Sequence, residues 1–231
     1  MAGLRSFVPV GDLPGSLFLL PEEVMAELYD VVIQHRLLSV LELGSGFGAT
    51  SSFLAAAAQE VGGQVTTVDM FQHVPASPKL LDEHLHLGSS LNIVVDPLGY
   101  NWWLAARLRE TPLPQFDLVF LDGAHRWEPD ALAAALAIRL LKPGGWFVLD
   151  DLNFNLRGMP NWQATHAHMA DRELDSFQLQ MVWDIVVTTH PELEAFRVSH
   201  GDRVGWARKR HTQAPVPSFL QRMRGQMRGG A

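Results

Sequence analysis

The chain of 231 residues contains no cysteine. It therefore has no disulfide framework, no thiolate metal site and no thiol nucleophile. It also lacks any apolar run long enough to span a bilayer. Met1 to Leu20 contains Pro9, Asp12 and Pro14, a poor composition for a signal peptide, so a cytoplasmic location is expected by default. Charged residues are sparse at 19%, whereas apolar residues reach 47%, which argues against disorder over most of the length and allows a full core. The length suits one domain with terminal additions. Acid is absent from residues 208–231, which hold six of the 18 basic residues and leave 12 basic against 25 acidic residues in the rest. Such a tail could touch nucleic acid. The acidic body offers no phosphate-binding face, and the expectation is a solvated or subunit-contacting extension.

What is present is an alternation of strand and helix. Pro21 suits a first helical position, and Val24, Leu28, Val31 and Val32 continue a helix toward residue 36. Short apolar strands are expected near 38–43, 65–69, 92–96, 116–122 and 146–151. Their lack of polar alternation fits a parallel sheet covered on both faces. Helices are expected near 49–60, 78–87, 100–109 and 128–141. Lys142-Pro143-Gly144-Gly145 should stop the last of these. A further helix is expected from beyond residue 170 to about His190, followed by a hairpin whose turn is His200-Gly201-Asp202. The pattern predicts one doubly wound α/β domain.

The first strand runs into Gly44-Ser45-Gly46-Phe47-Gly48. Glycines there allow a sharp turn and close approach of a ligand to the backbone, at the N-terminus of the following helix. The spacing is G-x-G-x-G rather than G-x-G-x-x-G, so a diphosphate is not the obvious ligand. Glu42 precedes the first glycine, and Asp69 ends strand two, where a carboxylate can accept hydrogen bonds from two ribose hydroxyls.

Ligands of such a sheet sit beyond the carboxyl ends of the strands. Asp69, Asp96, Asp122 and the pair Asp150-Asp151 end strands two to five, giving a negative cleft that calls for a bound cation. A sulfonium group and a divalent metal ion both answer that need. Asp122, Asp150 and Asp151 would offer three hard oxygen donors, suited to Mg²⁺, Mn²⁺ or Ca²⁺. His125, three residues after Asp122, would stand beside such a metal as a general base.

These residues carry a resemblance. The segment 40–51 with Glu42 and Asp69 resembles the cofactor-binding half of class I S-adenosylmethionine-dependent methyltransferases. Asp122-Gly123-Ala124-His125 with Asp150-Asp151 is similar to the metal-dependent small-molecule O-methyltransferases. Catechol and caffeoyl-CoA types carry lysine at the base position and an Asp-Asn pair. The Asp-Gly-x-His pattern and paired acids are closer to the macrocin and mycinamicin type of sugar O-methyltransferase and to the cephalosporin-hydroxylase-like group. The resemblance spans roughly residues 36–151. It implies a Rossmann-like, mostly parallel seven-stranded sheet with a C-terminal antiparallel hairpin. It also implies cofactor contacts at Glu42, Gly44, Ser45, Gly46, Gly48, Asp69, Met70, Asp96 and Asp122, metal ligands Asp122, Asp150 and Asp151, and the base His125. The expected reaction is methyl transfer from S-adenosylmethionine, with Mg²⁺ or a similar cation, to a hydroxyl of a small molecule such as a sugar, a phenol or a specialised metabolite.

The expected organisation is an N-terminal lid or oligomerisation segment (1–20), the methyltransferase domain (21–210) and a basic flexible tail (211–231), in a homodimer. Asp96 could contact adenine or serve as a turn acid before Pro97. Tyr100, Trp102 and Trp103 could wall the adenine or belong to the core. His84 and His86 read as surface. The stretch 152–170 is long for a connection and suits a substrate lid. Its His166 and His168 could supply an extra base or be simply solvated. A nicotinamide oxidoreductase, a nucleic-acid methyltransferase and a non-catalytic cofactor-binding subunit are the competing readings.

Overall fold

The computed structural model describes residues 20–70 and 83–211. The segments 1–19 and 212–231, and with them nearly all of the expected N-terminal lid and basic tail, lie outside the described residues, as does much of the helix expected at 78–87. The first helix, α1 (Glu22–His35), buries Val24, Met25, Leu28 and Val32, a stripe spaced for one helical face. It ends at Arg36 in the left-handed conformation (φ 49°). There follow β1 (Ser39–Leu43), α2 (Ala49–Val61), β2 (Gln64–Asp69), β3 (Leu91–Val95), α3 (Tyr100–Arg107), β4 (Phe116–Leu121), α4 (Trp127–Leu140) and β5 (Leu141–Leu149). Among the described residues seven strands form one sheet, in the order β3-β2-β1-β4-β5-β7-β6, where β6 is Leu193–Ser199 and β7 is Val204–Lys209. The first five pair in parallel, and β7 runs antiparallel to both β5 and β6. No helix among the described residues is long and apolar enough to cross a membrane.

Alternate residues of each strand serve opposite faces. Leu118 and Phe120 of β4 join Val40, Val65, Val148 and Trp206 beneath α1 and α2. Val119 and Leu121 join Leu41, Leu43, Phe147 and Leu149 on the other face. The small side chains Ala55, Ala57 and Ala58 are fully buried, so α2 seats closely on the sheet.

Two local expectations are revised. The Lys142–Gly145 stretch belongs to β5 rather than preceding it; Gly144 has φ +78°, and the register against β4 shifts between Phe116 and Leu118. The single helix expected up to His190 is broken into α6 (Asp171–Asp175) and α7 (Gln178–Val182), the latter running into a π-turn at Trp183–Val187; α5, Trp162–His166, precedes them. Ser176 is extended (ψ 140°) at the break. There the buried Gln178 side chain accepts from Trp127 N–H at 2.7 Å and donates to the Glu173 carbonyl at 2.8 Å, so it satisfies backbone groups at the start of α4 and the end of α6. Arg208 and Lys209, which read as tail residues, lie in β7. They donate to the carbonyls of Gly144 (3.0 Å) and Ile138 (2.8 Å).

Candidate active site

The turn after β1 passes through Gly44, Gly46 and Gly48, with φ of 95°, 50° and 86°. At Gly44 the demand is twofold, because a Cβ would also lie 1.9 Å from the Asp122 carbonyl oxygen. The turn is bound to β2. Gly44 N–H donates to the Val68 carbonyl at 2.9 Å, and Ser45 N–H donates to Asp69 Oδ2 at 2.9 Å. Asp69 Oδ1 accepts from Met70 N–H at 2.6 Å. Each carboxylate oxygen can accept more than one donor, so Asp69 is anchored on both oxygens and retains lone pairs for a ligand's hydroxyls.

A cleft of about 770 Å³ opens at these strand ends. Of the expected cofactor contacts, Gly44, Ser45, Gly46, Asp69, Met70 and Asp122 line it. Gly48 instead caps α2. Glu42 lies behind the turn, 1% exposed, where it accepts from the Ser51 hydroxyl and from Thr67 Oγ1 at 2.5 Å. Burial pushes its carboxyl up to about 8, against those two hydrogen bonds, so it braces α2 against β2 as a neutral group. Asp96 also stands off the lining; its Oδ1 accepts from Leu98 N–H at 2.9 Å, the turn-acid alternative.

Beyond β4 and β5 the structure brings together Asp122, His125 and Asp151, with one donor atom from each within 4.8 Å of the others. His125 Nε2 lies 3.2 Å from Asp122 Oδ1 and 2.8 Å from Asp151 Oδ2. Burial opposes the imidazolium, but the hydrogen bonds to Asp122 and Asp151 outweigh it and hold the pKa up at about 11. At neutral pH the ring thus carries a proton between two carboxylates, which is not the state of a free base. The expected trio Asp122, Asp150 and Asp151 does not converge. Asp150 is 1% exposed, and its two oxygens accept from Arg203 Nε at 2.9 Å and Nη2 at 2.8 Å. Arg203 Nη2 also lies 2.7 Å from Asp151 Oδ1. Burial pushes the Asp150 carboxyl upward, and the guanidinium opposes that shift.

The turn carrying His125 is fixed from behind. Tyr100 Oη donates to Asp130 and accepts from Ala124 N–H at 3.1 Å. Asp130, fully buried, also accepts from Arg126 N–H at 3.0 Å. A Cβ at position 123 would lie 2.5 Å from Tyr100 Oη and 2.6 Å from Asp130 Oδ1, so any larger residue would push that pair out of place. Tyr100 lines the cleft, whereas Trp102 is 64% exposed and stands off the lining.

The stretch 152–170 forms one wall of the cleft, contributing Phe154, Leu156, Met159, Pro160 and His166; His168 stays exposed. Arg157 pairs with Asp171 and Asp175 and stacks over Trp162 at 4.8 Å. Sequence reasoning missed Arg203. The signal was available: a strand that returns antiparallel beside strand five must begin at the carboxyl end of that strand, and Arg203 opens it.

Residues 41–152 match the family model described as a methyltransferase domain. Their β3-β2-β1-β4-β5 order, completed by the antiparallel β7-β6 pair, is the class I methyltransferase fold. Over residues 41–152 the chain is similar to methyltransferase domains of this class. Among solved structures it is similar to the cofactor-bound protein Rv0187 from MTB, at 20% identity over 87% of this chain and 85% of that one, with a TM-score of 0.64. TomG, an O-methyltransferase from Streptomyces achromogenes involved in tomaymycin synthesis and solved with SAM, has 18% identity over 91% and 86%, with a TM-score of 0.61. An O-methyltransferase from Bacillus cereus in complex with SAH has 15% identity over 90% and 86%, with a TM-score of 0.58. At these identities the likeness establishes the fold. No curated protein matches the chain.

Proposed function

We propose that the protein transfers the methyl group of S-adenosylmethionine to a hydroxyl of a small molecule, with a divalent cation at the acceptor end of the cleft. One observation carries the reading: the anchored Asp69 carboxylate and the Asp122–His125–Asp151 cluster face one cleft on either side of the Gly44 turn. Solved relatives of the same fold hold SAM or SAH, which supports that cofactor. The Asp69 lone pairs suit the ribose hydroxyls, and the Gly44 turn leaves room for the backbone to meet the remainder. The acidic cleft favours a sulfonium over an uncharged analogue.

The donor set fits a divalent cation. Two carboxylates and an imidazole, separated at Nε2 by 2.8 and 3.2 Å, have the spacing of neighbouring ligands on one face of an ion, and a cation would take the place of the His125 proton. Asp122, His125 and Asp151 would hold it, and Asp150 would act through Arg203 by fixing Asp151. When bound, such an ion would supply Lewis acidity that lowers the pKa of an acceptor hydroxyl. An imidazole among the ligands shifts preference from Mg²⁺ toward Mn²⁺. Calorimetric titration of the apo chain should therefore show tighter binding of Mn²⁺ than of Mg²⁺, lost in Asp122→Asn and His125→Ala. No heat with either ion, together with undiminished methyl transfer in excess EDTA, contradicts the metal reading. That result would favour the second reading, supported by Arg203 at 2.7 Å from Asp151, in which the guanidinium is the resident cation and transfer is metal-independent. As part of the same proposal the enzyme is a homodimer; light scattering that finds only monomer at micromolar concentration contradicts it.

A further inference from the structure

Among the described residues seven other than glycine have left-handed backbone, and four of them lie at the cleft floor or in the hairpin turn beside it. His125 and Asp151 take that conformation within the site, with φ of 56° and 59°. His200 and Asp202 take it in the turn, with φ of 55° and 63°, on either side of Gly201 at 62°. A Cβ disfavours the left-handed region, so residues persist there only where their surroundings over-determine them.

The turn is gripped from two sides. On one side stands Glu27 of α1, whose Oε2 lies 2.7 Å from His200 Nε2 and accepts from Ser199 Oγ at 3.3 Å. Its other oxygen lies 2.7 Å from Arg197 Nη2, and Ser199 Oγ accepts from Trp206 Nε1 at 3.0 Å. On the other side are the two residues that follow Asp151. Leu152 N–H donates to the Arg203 carbonyl at 2.9 Å, and Asn153 Nδ2 donates to the Gly201 carbonyl at 3.0 Å.

Arg203 is the first residue past this turn, and its guanidinium must meet Asp150 and Asp151 at once. Asp151 is then held on both oxygens, by Arg203 at Oδ1 and by His125 at Oδ2. Released from Glu27, His200 would gain by leaving the left-handed region. The change in φ would rotate the chain that leads into Arg203.

We propose that Glu27 and His200 are positioning residues for the cation end of the cleft, holding Arg203, and through it the Asp151 carboxylate, in place. The assignment rests on the methyl-transfer reading above and concerns its acceptor half; the Gly44 turn and Asp69 have no part in it.

The test follows the Arg203 Nε–H proton by proton–nitrogen NMR in the metal-free full-length protein, its signal identified by its loss in Arg203→Lys. In the native chain this proton should exchange slowly, because it donates to the buried Asp150. Glu27→Ala and His200→Ala should each speed its exchange about tenfold, as for loss of one hydrogen bond that restrains a local opening. The amides of β1 and β4 should keep their protection. Glu27→Gln keeps an acceptor for His200 and should recover most of the effect. His200→Asn, which tolerates left-handed backbone, should recover part. Calorimetry should find Mn²⁺ bound more weakly by Glu27→Ala and His200→Ala, with SAH affinity unchanged. Unchanged Arg203 exchange in both alanine variants would overturn the proposal, as would faster exchange that leaves Mn²⁺ affinity intact. A merely structural role would lower the β1 and β4 protection and the SAH affinity as well, and would also overturn it. If the native chain binds SAH but no Mn²⁺, the metal reading fails; Arg203 is then the resident cation, and its exchange alone decides. Failure of SAH to bind would overturn the methyl-transfer reading instead.

Discussion

The floor of the cleft and the wall formed by residues 152–170, the stretch expected as a lid, are built by opposite means. At the floor, Asp69, Asp122, His125, Asp150 and Asp151 stand on strand ends that the whole sheet holds in place. Nearly every polar group there is tied to another by a bond that crosses between separate elements: Asp150 to Arg203 of β7's entry, Ser45 to Asp69, Ala124 to Tyr100 of α3. That wall, continued by α6 to Asp175, is held largely by contacts within itself, among them the exposed pairs of Arg157 with Asp171 and Asp175. Surface ion pairs contribute little to stability, whereas a buried carboxylate that loses its partner is costly. The floor is therefore fixed by global stability, and the wall can rearrange locally or change sequence without unfolding the domain. On the proposed reading, cofactor and cation chemistry would rest on the rigid floor and acceptor choice on the wall.

The contrast breaks most sharply at Arg203. Arg203→Ala leaves Asp150 buried and unpaired, and urea denaturation should show a loss of about 3–5 kcal/mol; adding Asp150→Asn should recover part of it. A cost within the range of ordinary surface substitutions would mean that the floor is no more rigid than the lid. Glu42 sharpens the point through pH. Its carboxyl is held at about 8 in the fold against 4.5 unfolded. Between those values the unfolded chain has lost a proton that the native one keeps, so stability falls as pH rises, by up to about 1.4 kcal/mol per pH unit. Glu42→Gln should abolish that slope, and an unchanged slope would show that another group causes it. His125 adds a decline of the same sign. Its stabilisation is fully present below 6.5 and is lost as the pH rises through about 11, so His125→Gln should flatten the alkaline side of the profile. The smallest effect belongs to the lid. Arg157→Ala should leave the unfolding midpoint in place while speeding proteolysis within 152–175; a shifted midpoint would tie the lid to the global fold.

Much of this was legible in the sequence, because apolar strands and punctuating glycines are local signals. β1, β2, β4 and α2 lie where their patterns put them, within a residue or two. The side-chain destinations at the strand ends were not legible in the same way. Asp150 and Asp151 are adjacent, so successive Cβ atoms point to opposite sides, and only the packing of β7 against β5 decides which one meets Arg203. Glu42 alternates along a strand whose interior face was unknown, and it proved to face into the core. The break near Ser176 was hidden because the apolar spacing continues through it, while the buried Gln178 satisfies backbone groups from two separate helices. His166 and His168 could not be separated until α5 set one toward the cleft and the other into solvent.

The central claim is that the Gly44 turn and Asp69 hold S-adenosylmethionine. Calorimetry of SAH with the full-length chain tests it most directly, with Asp69→Ala and NADH as comparisons. The account predicts one SAH site per chain, no binding of NADH, and a loss of about 1.5–3 kcal/mol on removing the carboxylate, the range for hydrogen bonds to a charged group. SAH affinity unchanged in Asp69→Ala, or NADH bound in place of SAH, would contradict it.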